Sequence, residues 1–157
     1  MSDVKRILYV EDSVEDVELT LSALEERGLV NEVVVARDGV EAVEYLERRG
    51  RFAAEPAGDP AVVLLDIKMP RMDGLDLLRW IRAQPRLRAL PVVMLTSSRE
   101  ERDIVESYQL GVNAYVVKPV AFDEFMQAVR ALGLFWAILN EPPPGTALRR
   151  ERGRGAA

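Results

Sequence analysis

Val62-Val63-Leu64-Leu65-Asp66 is the stretch that decides the fold of this 157-residue chain. Four consecutive apolar residues of strand-forming type are typical of a strand that is buried on both faces, as in a parallel sheet. A carboxylate is costly inside such a strand, but at the carboxyl end of the strand it can meet a ligand. Asp66 is therefore predicted to lie in a binding crevice at the carboxyl edge of the sheet.

Three other predicted strands also end in polar residues. The residues that follow these strands are Glu11-Asp12 after Val10, Thr96-Ser97-Ser98 after Leu95, and Lys118 after Val117. Because parallel strands present their carboxyl ends at one edge, three acids, a hydroxyl and an ammonium are expected to converge there. Such a group of side chains is suited to a divalent metal ion and a phosphoryl group.

Apolar residues at helical spacing separate the predicted strands. The first such stripe consists of Val14, Val17, Leu21 and Leu24. Ser13 is the predicted N-cap of that helix, and residues 50–60, rich in Ala, Gly and Pro, are predicted to form a loop. Strands that alternate with helices predict an α/β doubly wound fold, with a five-stranded parallel sheet and helices on both faces.

Composition excludes several classes of protein. The net charge of −5 argues against a nucleic-acid-binding surface, and no apolar run reaches the length of a membrane span. The chain has no cysteine and no histidine, so it cannot use a thiol or an imidazole as base, zinc ligand or phosphate carrier. With no signal-peptide pattern at its start, the chain is expected to be cytoplasmic.

The last residues differ in composition from the rest of the chain. Residues 141–157 contain three consecutive prolines, four arginines and two glutamates, which gives them a net charge of +2. We therefore expect a folded domain over residues 1–140 and a largely disordered Pro/Arg-rich tail over 141–157.

The polar motifs together resemble the receiver domain of bacterial two-component response regulators. The resemblance rests on Glu11-Asp12, Asp66 to Gly74, Thr96-Ser97-Ser98 and Lys118-Pro119, and it extends over about residues 4–139. Each motif alone is weak, but four of them in order, each at a strand end, are specific. The resemblance implies a flavodoxin-like sheet with strand order 2-1-3-4-5.

The resemblance also implies roles for individual residues. Asp66 is the expected phosphoacceptor, which takes a phosphoryl group from the phosphohistidine of a partner histidine kinase. Asp12 and Asp66 are the expected direct ligands of Mg²⁺, with the main-chain carbonyl of Lys68 as a third ligand and Glu11 acting through water. Lys118 is expected to neutralise the charge of the phosphoryl group.

Further residues are expected to respond to the phosphoryl group. Thr96 would donate its hydroxyl to that group, and Tyr115 resembles the switch aromatic that turns inward when Thr96 moves. Lys68 and Ser98, each two residues after a site residue, are expected to tune the lifetime of the acyl phosphate, in a direction that the sequence does not give. On this interpretation the protein is a self-phosphorylating phosphoacceptor that removes its own phosphate, and it turns over no separate substrate.

The segment 131–139 carries no polar side chain on any face. One domain cannot cover all of it, which predicts a homodimer built partly on five residues: Leu134, Phe135, Trp136, Ile138 and Leu139. Burial of this segment by the proline-rich tail is the competing explanation. The same ending resembles stand-alone receivers paired with bacterial phytochrome kinases, so a bacteriophytochrome is the expected kinase partner.

Other functions remain as alternatives. The receiver could be a phosphate sink or shuttle in a phosphorelay, or a degenerate receiver that acts only as an interaction module. A haloacid-dehalogenase phosphatase would require a second acid two residues after the nucleophile, where this chain has Lys68. A nucleotide-binding Rossmann domain would require a glycine-rich turn after the first strand, and none is present.

Overall fold

The computed structural model describes residues 6–25, 32–56 and 58–118, together with residues 123 and 127. The apolar segment 131–139 and the predicted boundary at residue 140 lie outside these residues. The domain limits and the predicted interface of Leu134, Phe135, Trp136, Ile138 and Leu139 therefore stay predictions.

Strands and helices alternate throughout the described chain. In order they are β1 (Arg6–Val10), α1 (Val14–Glu25), β2 (Glu32–Ala36), α2 (Gly39–Glu47), β3 (Val62–Leu65), α3 (Gly74–Ala83), β4 (Val92–Thr96), α4 (Glu101–Gln109) and β5 (Ala114–Val117). All neighbouring strands are parallel, and their order in the sheet is β2-β1-β3-β4-β5. The predicted doubly wound fold with strand order 2-1-3-4-5 is confirmed.

Both faces of the central strands are buried. Leu8 and Val10 of β1 belong to the core cluster that packs with α2 and α3. The opposite face of β1 carries Tyr9, whose hydroxyl donates to Thr20 Oγ1 of α1 at 3.2 Å. All four residues of β3 are buried as well, because helices cover both sides of the sheet. None of the helices in the described chain is long and apolar enough to cross a membrane.

The loop predicted over residues 50–60 contains an element that its composition does not indicate. A short 3-10 turn, Gly50–Phe52, places Phe52 in the core with 1% of its surface exposed. Its ring meets the ring of Tyr45 edge-on, with centroids 5.4 Å apart. The buried ring anchors the start of this loop, and a single residue of this kind leaves no periodic pattern in the sequence.

Hydrogen bonds extend the sheet by one residue beyond the ends of its strands. The Glu11 N–H donates to the Ala36 carbonyl at 2.9 Å, and the Asp66 N–H donates to the Val10 carbonyl at 3.1 Å. The Lys118 N–H donates in the same way to the Thr96 carbonyl at 2.8 Å. The polar residues after the strands are thus fixed in register at the carboxyl edge of the sheet.

Candidate functional site

Three carboxylates meet at the ends of β1 and β3. Glu11, Asp12 and Asp66 each offer a carboxylate oxygen, and these oxygens lie within 4.8 Å of one another. Glu11 and Asp66 are buried, with 1% and 5% of their surface exposed, whereas Asp12 is exposed to solvent. The cluster therefore has two buried members and one that faces solvent.

The ammonium of Lys118 lies against this acidic cluster. Its Nζ atom is 2.6 Å from Glu11 Oε1, 2.7 Å from Asp16 Oδ2 and 3.7 Å from Asp66 Oδ2. Burial alone would lower the pKa of Lys118, but the hydrogen bonds to Asp16 and Glu11 raise it well above its usual value. Lys118 is therefore a permanent cation at the site.

Burial changes the acid strength of Glu11. Loss of hydration raises the pKa of Glu11 to about 7, and the neighbouring Asp66 charge adds to this rise, although the hydrogen bond from Lys118 opposes it. The Glu11 carboxylate also accepts the Ser13 N–H at 3.2 Å. Without a metal ion, the Lys118 ammonium thus offsets only part of the cost of a negative charge on Glu11.

Asp16 is a site residue that the sequence analysis missed. It lies in the first turn of α1 and shares the Lys118 ammonium with Glu11. Ser13 starts this helix, since its Oγ accepts the Asp16 N–H at 3.2 Å, as its predicted N-cap role requires. An acid in the first turn of a helix is favoured by the helix dipole in any protein, so the position of Asp16 in the sequence does not indicate a role in the site.

The backbone around Asp66 fixes the direction of its carboxylate. Its Oδ1 atom accepts the Ile67 N–H at 2.8 Å, which leaves Oδ2 turned toward Lys118. The start of α3 approaches closely, with the Gly74 N–H donating to the Ile67 carbonyl at 2.9 Å. A Cβ atom at Gly74 would lie 2.1 Å from the Asp66 carbonyl oxygen, so only glycine allows this approach.

The loop from Ile67 to Asp73 carries the Lys68 carbonyl and is tied to α2. Arg71, which has a positive φ of 63°, places its Nε atom 2.6 Å from Asp38 Oδ2. Burial raises the pKa of Asp38, but the hydrogen bonds from Arg71 and from the Glu41 N–H outweigh it and hold the pKa below its usual value. Asp38 thus caps α2 and anchors the loop at the same time.

Hydroxyl groups line the neighbouring part of the edge, where β4 ends. Thr96 is completely buried, and its Oγ1 accepts the Ser98 N–H at 3.3 Å. Tyr115 of β5 is half-buried, and its hydroxyl donates to the Ser98 carbonyl at 3.0 Å. The proposed switch pair of Thr96 and Tyr115 is thus connected through one residue, Ser98.

The two residues expected to tune the phosphate lifetime meet at an acid that the sequence analysis also missed. Ser98 Oγ donates to Asp103 Oδ2 at 2.6 Å. Lys68 is largely exposed, and its Nζ lies 3.9 Å from the same oxygen of Asp103. Asp103 itself is buried in the first turn of α4. The sequence of α4 is mostly polar and has no clear apolar stripe, so it does not indicate that Asp103 is buried.

The donor atoms of the acidic cluster fit a small divalent cation. Three carboxylates that lie close together repel one another, and a cation between them relieves that repulsion. All three supply hard oxygen ligands, and the exposed position of Asp12 leaves room for water, which Mg²⁺ retains. Among the described residues, this is the only group of acids with that geometry.

Comparison with known proteins agrees with this geometry. The family model of the response regulator receiver domain matches residues 7–130. The chain belongs to the response regulator receiver family. It is 36% identical over 132 residues to the response regulator Rcp1 of Synechocystis sp., a match that covers 84% of this chain and 88% of Rcp1.

Solved structures related to phytochrome signalling are also similar. The bacteriophytochrome response regulator RtBRR is 57% identical, with a TM-score of 0.78 over 96% of this receiver and 92% of RtBRR. The phosphorylated cyanobacterial phytochrome response regulator RcpA is 37% identical, with a TM-score of 0.71 over 90% and 99% of the two chains. The Mn²⁺-bound form of Rcp1 aligns with a TM-score of 0.70 at 34% identity, over 90% of this receiver and 99% of Rcp1.

Proposed function

We propose that this receiver accepts a phosphoryl group on Asp66 from the phosphohistidine of a partner kinase and signals through protein contacts. The observation that carries the proposal is the position of the Asp66 carboxylate, which lies at a strand end between two acids and the Lys118 ammonium. Such a site offers a nucleophile, ligands for a metal ion and a fixed cation in one crevice.

The acidic cluster is proposed to hold Mg²⁺. Asp12 and Asp66 would bind the ion directly together with the main-chain carbonyl of Lys68, and Glu11 would act through water. When bound, Mg²⁺ supplies positive charge that offsets the negative charge of the acids and of the incoming phosphoryl group. The Mn²⁺-bound form of Rcp1 supports a divalent cation in a relative of this chain.

The proposed transfer needs no base from this chain. An oxygen of the Asp66 carboxylate forms a bond with phosphorus while the bond to the partner's imidazole nitrogen breaks, and the electron pair returns to the imidazole. Lys118 neutralises charge on the phosphoryl oxygens, for which it must exchange part of its contact with Glu11 and Asp16. The Thr96 hydroxyl is proposed to turn from the Ser98 N–H toward the phosphoryl group.

The partner is proposed to be a sensor histidine kinase of the bacteriophytochrome type, in the cytoplasm. The likeness to RtBRR supports this kind of kinase, because RtBRR is itself a bacteriophytochrome response regulator. We propose that the receiver acts by being phosphorylated and by losing its phosphate through hydrolysis, without turnover of a separate substrate.

We further propose a homodimer that uses Leu134, Phe135, Trp136, Ile138 and Leu139. Its basis is the sequence of segment 131–139, which is apolar on every helical face. Sedimentation of the wild type and of a Phe135→Ala/Trp136→Ala variant tests the dimer. A wild type that stays monomeric at micromolar concentration, phosphorylated or not, would contradict it.

Incubation with acetyl phosphate and Mg²⁺, followed by intact mass, tests the phosphoacceptor. The wild type should gain the mass of one phosphoryl group, and Asp66→Asn should gain none. Asp76→Asn is the matched control, because Asp76 is an exposed acid of α3 away from the cluster. Full phosphorylation of Asp66→Asn at the wild-type rate would refute the assignment.

A further inference from the structure

Helix α4 has an unusual distribution of side chains. Its buried residues are Asp103 and Ser107, one helical turn apart, whereas Val105 and Tyr108 are 46% and 50% exposed. An ordinary surface helix buries its apolar residues and exposes its polar ones. The contact of α4 with the rest of the domain therefore depends strongly on polar groups, and Asp103 is the charged member among them.

The Asp103 carboxylate has two partners on different loops. Oδ2 accepts the Ser98 hydroxyl at 2.6 Å, and the Lys68 ammonium lies 3.9 Å from the same oxygen. Ser98 belongs to the loop after β4, and Lys68 to the loop after β3, two residues beyond Asp66. One buried acid thus joins both loops that border the phosphoryl site.

The two contacts differ in strength. The bond from Ser98 is short, and the Asp103 side chain is only 8% exposed, so this contact is held firmly. The Lys68 side chain is 62% exposed, and its ammonium is at the outer limit of an ion pair. Lys68 is therefore attracted by Asp103 but free to move once that charge is removed.

We propose that Asp103 is a positioning residue that shortens the lifetime of the acyl phosphate by keeping the Lys68 ammonium away from it. This inference rests on the proposed phosphorylation of Asp66. With Asp103 neutral, the Lys68 ammonium turns to the phosphoryl oxygens on Asp66, two residues before it in the chain. In that position the Lys68 ammonium covers the side of the phosphoryl group from which water approaches.

The step that Asp103 influences is hydrolysis of the acyl phosphate. A water oxygen forms a bond with phosphorus, and the bond from phosphorus to the Asp66 oxygen breaks. The electron pair returns to the Asp66 carboxylate, and the water protons leave on inorganic phosphate or pass to solvent. An ammonium over the phosphoryl oxygens hinders the entry of water and thereby slows this step.

A double-mutant cycle on the dephosphorylation rate tests the inference. Each protein is phosphorylated with acetyl phosphate and Mg²⁺ and freed of donor, and its loss of phosphate is then followed by intact mass. Asp103→Asn should lengthen the half-life about threefold, and in the Lys68→Ala background the same change should have an effect below about 1.5-fold. Glu101→Gln, which removes an exposed acid from the same helix, is the matched control and should leave the half-life unchanged.

The cycle separates a positioning role from a structural one. A merely structural Asp103 would change the half-life by the same factor with and without the Lys68 side chain, which would overturn the inference, as would an unchanged half-life of Asp103→Asn. Should the asparagine variant not fold, Asp103→Ser, which is neutral and smaller, takes its place in the cycle. Failure of the proposed function gives a different result, because the wild type itself would then gain no phosphate.

Discussion

The carboxyl edge of the sheet has two halves that are held together by different forces. The acidic half consists of Glu11, Asp12 and Asp66 with Lys118 and Asp16. The hydroxyl half consists of Thr96, Ser98 and Tyr115. In the acidic half a buried ammonium contacts carboxylates at 2.6 and 2.7 Å, whereas the bonds that link Thr96 and Tyr115 to Ser98 are neutral and measure 3.3 and 3.0 Å.

The two halves therefore contribute differently to the site. Charge–charge contacts in a buried place are strong, and they prepare the acidic half for a charged ligand. Neutral hydrogen bonds contribute about 1 kcal/mol each, so Thr96 and Tyr115 can be rearranged at low cost. Variants of the acidic half should therefore change chemistry and stability strongly, and variants of the hydroxyl half only slightly.

Removal of the Lys118 ammonium should have the largest effect. Lys118→Ala is expected to lower the rate of phosphorylation about 100-fold, because charge developing on the phosphoryl oxygens then loses a fixed cation. The rate is measured with acetyl phosphate at saturating Mg²⁺. Lys118→Arg keeps the charge and separates its effect from that of geometry. A wild-type rate for Lys118→Ala would show that the acidic half does not depend on this cation.

Asp12, the exposed acid of the cluster, should control metal binding. Mg²⁺ at about 100 times its dissociation constant should stabilise the wild type by about 2.7 kcal/mol, and Asp12→Ala should lose most of this gain. Without metal, Asp12→Ala should be at least as stable as the wild type, since one of three repelling charges is gone. Thermal melts with and without Mg²⁺ measure both effects. Glu15→Ala, an exposed acid in the first turn of α1, is the matched control.

Glu11 should make the metal-free protein sensitive to pH. Its pKa rises from 4.5 to about 7 on folding, so the folded state binds the proton more tightly than the unfolded state. The resulting stabilisation is complete below pH 4.5 and is lost as the pH rises through 7. Glu11→Gln should lack this decline in urea unfolding between pH 5 and 8. An equal decline of stability with pH in Glu11→Gln and in the wild type would show that other groups cause it.

The sequence predicted the acidic half of the edge better than its surroundings. Asp66 and the other residues directly after the strands were found because each ends an apolar run, and parallel strands bring such ends together. Asp16 and Asp103 were missed because their roles depend on which side of a helix faces the edge. Polar residues of this kind do not alter an apolar stripe, so their burial is visible only in three dimensions.

The smallest effect is expected from the hydroxyl half, at Tyr115. Tyr115→Phe removes the bond from the phenol to the Ser98 carbonyl and should cost about 1 kcal/mol of unfolding free energy, since the bond is neutral and only half-buried. Tyr108→Phe, at a half-exposed position of α4, is the matched control and should cost close to nothing. Urea unfolding of both variants against the wild type measures the difference. A Tyr115→Phe cost as large as the pH effect at Glu11 would contradict the contrast between the halves, because a switch held so firmly could not respond to a single phosphoryl group.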